Sequence, residues 1–123
     1  MYTLIVKTTF EASHSIPGHE GKCARLHGHT YRVEAEFSGD ELDRIGMLRD
    51  FSELRRALEE IVPDHTHLND VLDVPTTAEH VARWIFDELA ARELPVTAVA
   101  VWETDRYGCR YSRSTNPLPQ GGA

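Results

Sequence analysis

Two cysteines and seven histidines occur in this 123-residue chain, and the chemistry they could do is concentrated in one run. Cys23, His27 and His29 fall within Lys22-Cys23-Ala24-Arg25-Leu26-His27-Gly28-His29, and His14 lies upstream on an apolar stretch. Two histidines two residues apart project from one face of a strand, because strand side chains alternate with period two. A third imidazole from a neighbouring strand completes a three-histidine site. Three protein ligands and an open fourth position characterise catalytic zinc, whereas a closed set of four characterises structural zinc. Imidazole suits zinc, and no carboxylate in the run completes the two-histidine triad that favours iron. His-x-His alone is equally an ordinary strand start; His14 and Cys23 shift the reading to a metal. Cys23 itself has three readings that spacing leaves open: a fourth ligand, a reactive thiolate beside the metal and Lys22, or an inert loop cysteine.

Three further groups are weaker signals. Asp64 and His65 are adjacent, and an Asp–His pair suits general acid–base work by fixing the imidazole tautomer. A run rich in Asp, Asn and His is also a common solvated turn, and His67 adds an imidazole without a defined role. Glu103 ends the apolar run Val99-Ala100-Val101-Trp102, where a carboxylate is either a surface group or an acceptor for paired N–H donors of a heterocycle. Cys109 reads as a small strand residue.

Composition excludes several classes. A net charge of −7 without a basic stripe argues against nucleic acid as a partner. No apolar run approaches membrane-spanning length, so no membrane partner is expected. Met1 to Lys7 lacks the pattern of a signal peptide, and a cytoplasmic location with reduced thiols is the expectation. Hydrophobic content of 41% and charged content of 27% fit one globular domain with one core. Residues 1–115 are expected to form a single catalytic domain, and residues 116–123 a frayed tail.

The elements that must position these groups are readable from periodicity. Tyr2 to His14 alternates as a strand with Leu4, Val6, Phe10, Ala12 and His14 on one parity. Leu26 to Phe37 alternates likewise, with His27, His29, Tyr31, Val33, Ala35 and Phe37 together. Asp50 to Glu53 predicts a capping box opening a helix with the stripe Phe51, Leu54, Leu58, Ile61 and Val62, which Pro63 ends. Thr76 to Glu79 predicts a second capping box, for a helix lined by Val81, Trp84, Ile85 and Leu89. Val96 to Thr104 and Cys109 to Ser114 are the last strands. The order β-β-α-α-β-β predicts an α+β fold, with a four-stranded antiparallel sheet and two helices on one face. Such a sheet leaves long edges that invite pairing with another chain, so a homo-oligomer is expected.

Six pieces then come in order on this plan: Phe10-Glu11-Ala12-Ser13-His14, the Cys23 to His29 run, Asp50-Phe51, Asp64-His65 with Leu68-Asn69, Thr77-Ala78-Glu79, and Val101-Trp102-Glu103-Thr104. Together they resemble the 6-pyruvoyl-tetrahydropterin synthase family, and its bacterial 6-carboxy-5,6,7,8-tetrahydropterin synthase branch, over about Phe10 to Tyr111. The resemblance implies a tunnelling fold (T-fold) in which three subunits join sheets into a barrel. Two trimers then stack into a homohexamer with active sites between subunits. It implies Zn2+ on His14, His27 and His29, with Cys23 as catalytic base and Asp64 with His65 as the acid–base pair. Glu103 would anchor the pterin ring, with Thr77 and Glu79 nearby. The implied reaction converts 7,8-dihydroneopterin triphosphate to 6-carboxytetrahydropterin, acetaldehyde and triphosphate, toward 7-deazapurines of the queuosine type. The alternatives are the pyruvoyl product and, in another class, a non-catalytic zinc-stabilised oligomeric binding module. Pro63, Thr66-His67 and His80 depart from the family's usual residues, while Cys23 argues against the variants that carry Glu there.

Overall fold

Alternation of apolar and polar residues builds the sheet, and the apolar parity decides which face the helices cover. The computed structural model describes residues 1–113. The predicted tail, residues 116–123, lies outside the described residues. Strand β1 (Tyr2–His14) pairs antiparallel with β2 (His27–Gly39), from Tyr2 opposite Gly39 to His14 opposite His27. Helix α1 (Phe51–Ile61) follows, then a two-residue strand β3 (Thr66–His67) and the one-turn helix α2 (Leu68–Val71). Helix α3 (Ala78–Ala91), strand β4 (Val96–Trp102) and strand β5 (Gly108–Ser112) complete the order. The sheet order is β3-β1-β2-β4-β5, and every pairing is antiparallel except the parallel contact of β3 with β1.

Phe10, Tyr31, Val33, Ala35, Phe37, Val99 and Val101 turn one face of the sheet into the core. Leu54, Leu58, Val81, Ile85 and Leu89 cover it from α1 and α3. Each such side chain contributes about 1.5–3 kcal/mol by leaving water. The ring of Phe10 stacks on that of Tyr31 across the β1–β2 pair, 4.7 Å between centroids.

The α+β fold stands as predicted, with one more strand and one more helix. Strand β3 and helix α2 are too short to carry a periodicity. Strand β2 starts at His27, because Leu26 is exposed in the preceding loop. The predicted third strand ends at Trp102, and Thr104 instead caps the following turn by accepting from the N–H groups of Arg106 and Tyr107. Phe51 does not join the core; it is exposed at the start of α1.

Both predicted capping boxes are corrected. Asp50 caps α1 by accepting from the Ser52 N–H at 2.8 Å, but Glu53 is held by Arg49 through two hydrogen bonds. At α3 the cap is Thr77, which accepts from the His80 N–H. Thr76 is fully buried and serves the site below.

Candidate metal centre and adjoining hollows

The β1–β2 register sets the site. His14 stands opposite His27, and Ala12 opposite His29, so three imidazoles of one parity gather where the hairpin ends. One nitrogen from each of His14, His27 and His29 lies within 4.8 Å of the others. The three rings meet edge to face, with centroids 4.5–5.2 Å apart.

Burial and hydrogen bonding define how His14 is presented. The residue is fully buried, and its Nδ1 lies 2.8 Å from the Thr76 carbonyl and 3.2 Å from the Thr76 hydroxyl. Its Nε2 is buried with no hydrogen-bond partner among the described residues. An orphaned buried nitrogen aimed at two other imidazoles is costly in a folded protein, and a bound cation would satisfy it. The Nδ1–H of His27 donates to the Arg25 carbonyl at 2.7 Å, which leaves the Nε2 lone pair free to ligate. Burial lowers the pKa of His14 and of His29, keeping both imidazoles neutral, as metal ligation requires. This set fits zinc.

Cys23 is outside that group. It sits half-buried on a single 3-10 turn, Lys22–Ala24, and its carbonyl accepts from the Ile16 N–H at 2.7 Å. It lines a hollow of about 270 Å³ together with Thr77, Glu79, Glu103, Tyr107 and Cys109. Thus three of the predicted pterin-binding residues and the predicted base share one space, with Cys109 and Tyr107 as additions that periodicity gave no reason to single out. The Glu103 carboxylate reaches within 3.9 Å of His14 Nε2. A carboxylate absent from the His27–His29 run therefore arrives from the end of β4, at the margin of the imidazole cluster. The pair Arg32–Trp102 puts Tyr31 opposite Glu103 one step further along, on the same face. The Tyr31 hydroxyl is buried without a partner among the described residues, and burial pushes its pKa up.

Asp64 and His65 occupy a different place. Asp64 Oδ2 is 3.0 Å from His65 Nδ1, so the predicted pair forms. The backbone N–H of Glu11 donates to Asp64 Oδ1 at 2.8 Å and, as the main cause, holds that carboxyl below its usual range. His65 takes a left-handed backbone with φ 56°, fixed by its N–H donating to the Glu11 carbonyl at 2.6 Å. His65 lines a second hollow, of about 410 Å³, with Glu11, Ser13, His29 and Thr66. Within one chain His65 therefore shares a hollow with His29 but not with Cys23 or Glu103. The Nδ1 of His67 bonds the Ser13 hydroxyl at 3.0 Å, tying β3 to the end of β1. Lys22 and Arg25 are exposed.

A sheet that is antiparallel except at β3, with three imidazoles gathered at one end, defines an α+β protein with a candidate metal centre. Residues 3–114 match the family model described as 6-pyruvoyl tetrahydropterin synthase, and the chain belongs to that family. It is 39% identical over 128 residues to the 6-carboxy-5,6,7,8-tetrahydropterin synthase of Synechocystis sp., covering 96% of this chain and 99% of that one. It is 33% identical over 140 residues to the enzyme of the same name from Haemophilus influenzae, covering 90% and 99%. The fold is also that of the Caenorhabditis elegans 6-pyruvoyl tetrahydropterin synthase, with TM-score 0.81 at 24% identity over 92% of this chain and 96% of that one.

Proposed function

We propose that this chain is a zinc-dependent 6-carboxy-5,6,7,8-tetrahydropterin synthase acting on 7,8-dihydroneopterin triphosphate in the cytoplasm. The observation that carries the reading is one juxtaposition: Glu103, 3.9 Å from His14 of the three-imidazole cluster, lines a hollow together with Cys23. His14, His27 and His29 would hold the zinc. When bound, zinc supplies Lewis acidity toward the hydroxyls of the substrate side chain.

The other roles belong to the protein. Glu103 accepts N–H donors of the pterin ring, with Thr77 and Glu79 beside it. Cys23, off the metal, takes a proton as thiolate. Asp64 holds His65 in one tautomer so that the imidazole can move a second proton. Triphosphate leaves, and side-chain shortening releases acetaldehyde. Relatives named for the carboxy product favour it over the pyruvoyl product.

His65 of the acid–base pair and Cys23 line separate hollows of one chain. A subunit boundary that brings one chain's pair to another's Cys23 reconciles the two. Barrel trimers stacked as a hexamer supply such boundaries.

The test is incubation of zinc-loaded protein with 7,8-dihydroneopterin triphosphate and mass spectrometry of the products. Acetaldehyde and 6-carboxytetrahydropterin are expected. A pyruvoyl product would move the chain to the sister activity. No turnover, with chelation dissociating the oligomer, would make it a zinc-stabilised binding module.

A further inference from the structure

The end of β1 is gripped by side chains from a segment some sixty residues away, and the grip ends on a metal-ligand histidine. A carbonyl oxygen has no proton to give, so the 2.8 Å contact between His14 Nδ1 and the Thr76 carbonyl requires the proton to sit on Nδ1. The Thr76 hydroxyl donates its own proton to the Ser15 carbonyl at 3.2 Å, which leaves an oxygen lone pair for the same Nδ1–H. Ser15 is itself fixed by Asn69, whose Oδ1 accepts from its N–H at 3.0 Å and whose Nδ2 donates to its carbonyl at 2.9 Å. Because Thr77 caps α3, the Thr76 hydroxyl is free for this task. The contrast with His27 is informative: its Nδ1 partner is the carbonyl of Arg25, two residues back on the same turn, and no remote side chain is involved.

We propose that Thr76 is a positioning residue for metal capture, fixing His14 in the Nδ1–H tautomer so that the Nε2 lone pair faces His27 and His29. The proposal deepens the zinc reading above and rests on it. The ring is held by two acceptors from one residue, so orientation and tautomer are set before any ion arrives. Groups of this kind typically change metal affinity by roughly 10–100-fold when removed. The lower end applies here, because the Thr76 carbonyl survives any side-chain change.

The experiment measures zinc affinity by chelator competition for the full chain and for Thr76→Val and Thr76→Ser. Valine, which keeps the shape and loses the hydroxyl, should weaken zinc about tenfold. Serine should restore wild-type affinity. A valine variant that folds and binds zinc like wild type overturns the proposal. A second measurement needs neither metal nor variant: 15N imidazole spectra of the metal-free protein. These should show His14 as the Nδ1–H tautomer, and an Nε2–H tautomer overturns the proposal even where the valine variant does not fold. Failure of the zinc reading is separate. It shows as unchanged zinc binding in His14→Ala, while the tautomer measurement still decides the role of Thr76.

Discussion

The imidazole cluster and the Asp64–His65 pair are built on opposite principles. The cluster sits on two long strands that hydrogen-bond to each other along their whole length, and its central member, His14, is fully buried. Two of its three rings are oriented by backbone carbonyls. The acid–base pair sits in a loop, with 77% of the His65 side chain exposed and a left-handed backbone. Its attachments to the sheet run to Glu11, through the Glu11 N–H and carbonyl, and its remaining backbone bond is local, from the Asp64 N–H to the Val62 carbonyl. A metal site must be complete before an ion arrives, so it is placed where packing sets geometry. A proton-transfer pair can stand at the surface and be completed by whatever docks there. The difference teaches that one chain assembles the whole of the proposed metal site, whereas the proposed acid–base pair stands apart from Cys23 and Glu103.

That comparison can be broken experimentally. The largest effect is expected for His27→Ala. Zinc should no longer co-purify, and turnover of 7,8-dihydroneopterin triphosphate should fall to background, both read on the same preparation. Next, Cys23→Ala should keep stoichiometric zinc by elemental analysis while kcat drops by roughly a thousandfold, within the range of general acid–base groups. Zinc loss in that variant would make Cys23 a ligand. Asp64→Asn should lower kcat by about a hundredfold and leave zinc affinity untouched. If zinc weakens with it, the two regions are not independent.

Smaller effects sharpen the contrast. Asp50→Ala removes the cap of α1, far from both groups, and should cost about 1 kcal/mol in denaturant unfolding with no change in zinc affinity. The smallest effect is a pH dependence. The Asp64 carboxyl titrates below its ordinary value of 3.8 because the Glu11 N–H favours its ionised form. A folded-state pKa below the unfolded one gives stability that is present above about pH 4 and lost as pH falls through the folded value. Unfolding curves of Asp64→Asn should lack that acid-limb slope, lying below the wild type above about pH 4 and converging with it as pH falls.

Much of the cluster was legible because a strand's parity is fixed: His14, His27 and His29 had to share a face with Phe10 and Tyr31. The rest depended on contacts that parity does not encode. Thr76 and Thr77 are chemically identical, and a capping pattern fits either; burial against His14 assigns them different tasks. Glu53 matched a capping box, but Arg49 four residues back gives its carboxylate a stronger, charged partner. Strand β3 exists because Thr66 and His67 run alongside Ala12 and Ser13, a tertiary pairing too short to leave a pattern. The separation of Cys23 from His65 follows from the same pairing, which carries residues 64–67 to the side of β1 away from β4.

The sheet has one more consequence. Among the described residues, strand β1 is covered on its outer side only near its end, by residues 64–67 along Glu11, Ala12 and Ser13, and β5 has no outer partner. The two open edges differ in sequence, so copies that join β1 to β5 join head to tail. Head-to-tail contacts close into rings when the angle between neighbours divides the circle, and otherwise run on as fibres. Gly108 opens β5 on one of these edges, and any side chain there would strike the Trp102 ring at 2.5 Å, so a substitution must shift the very strand that such a joint would use.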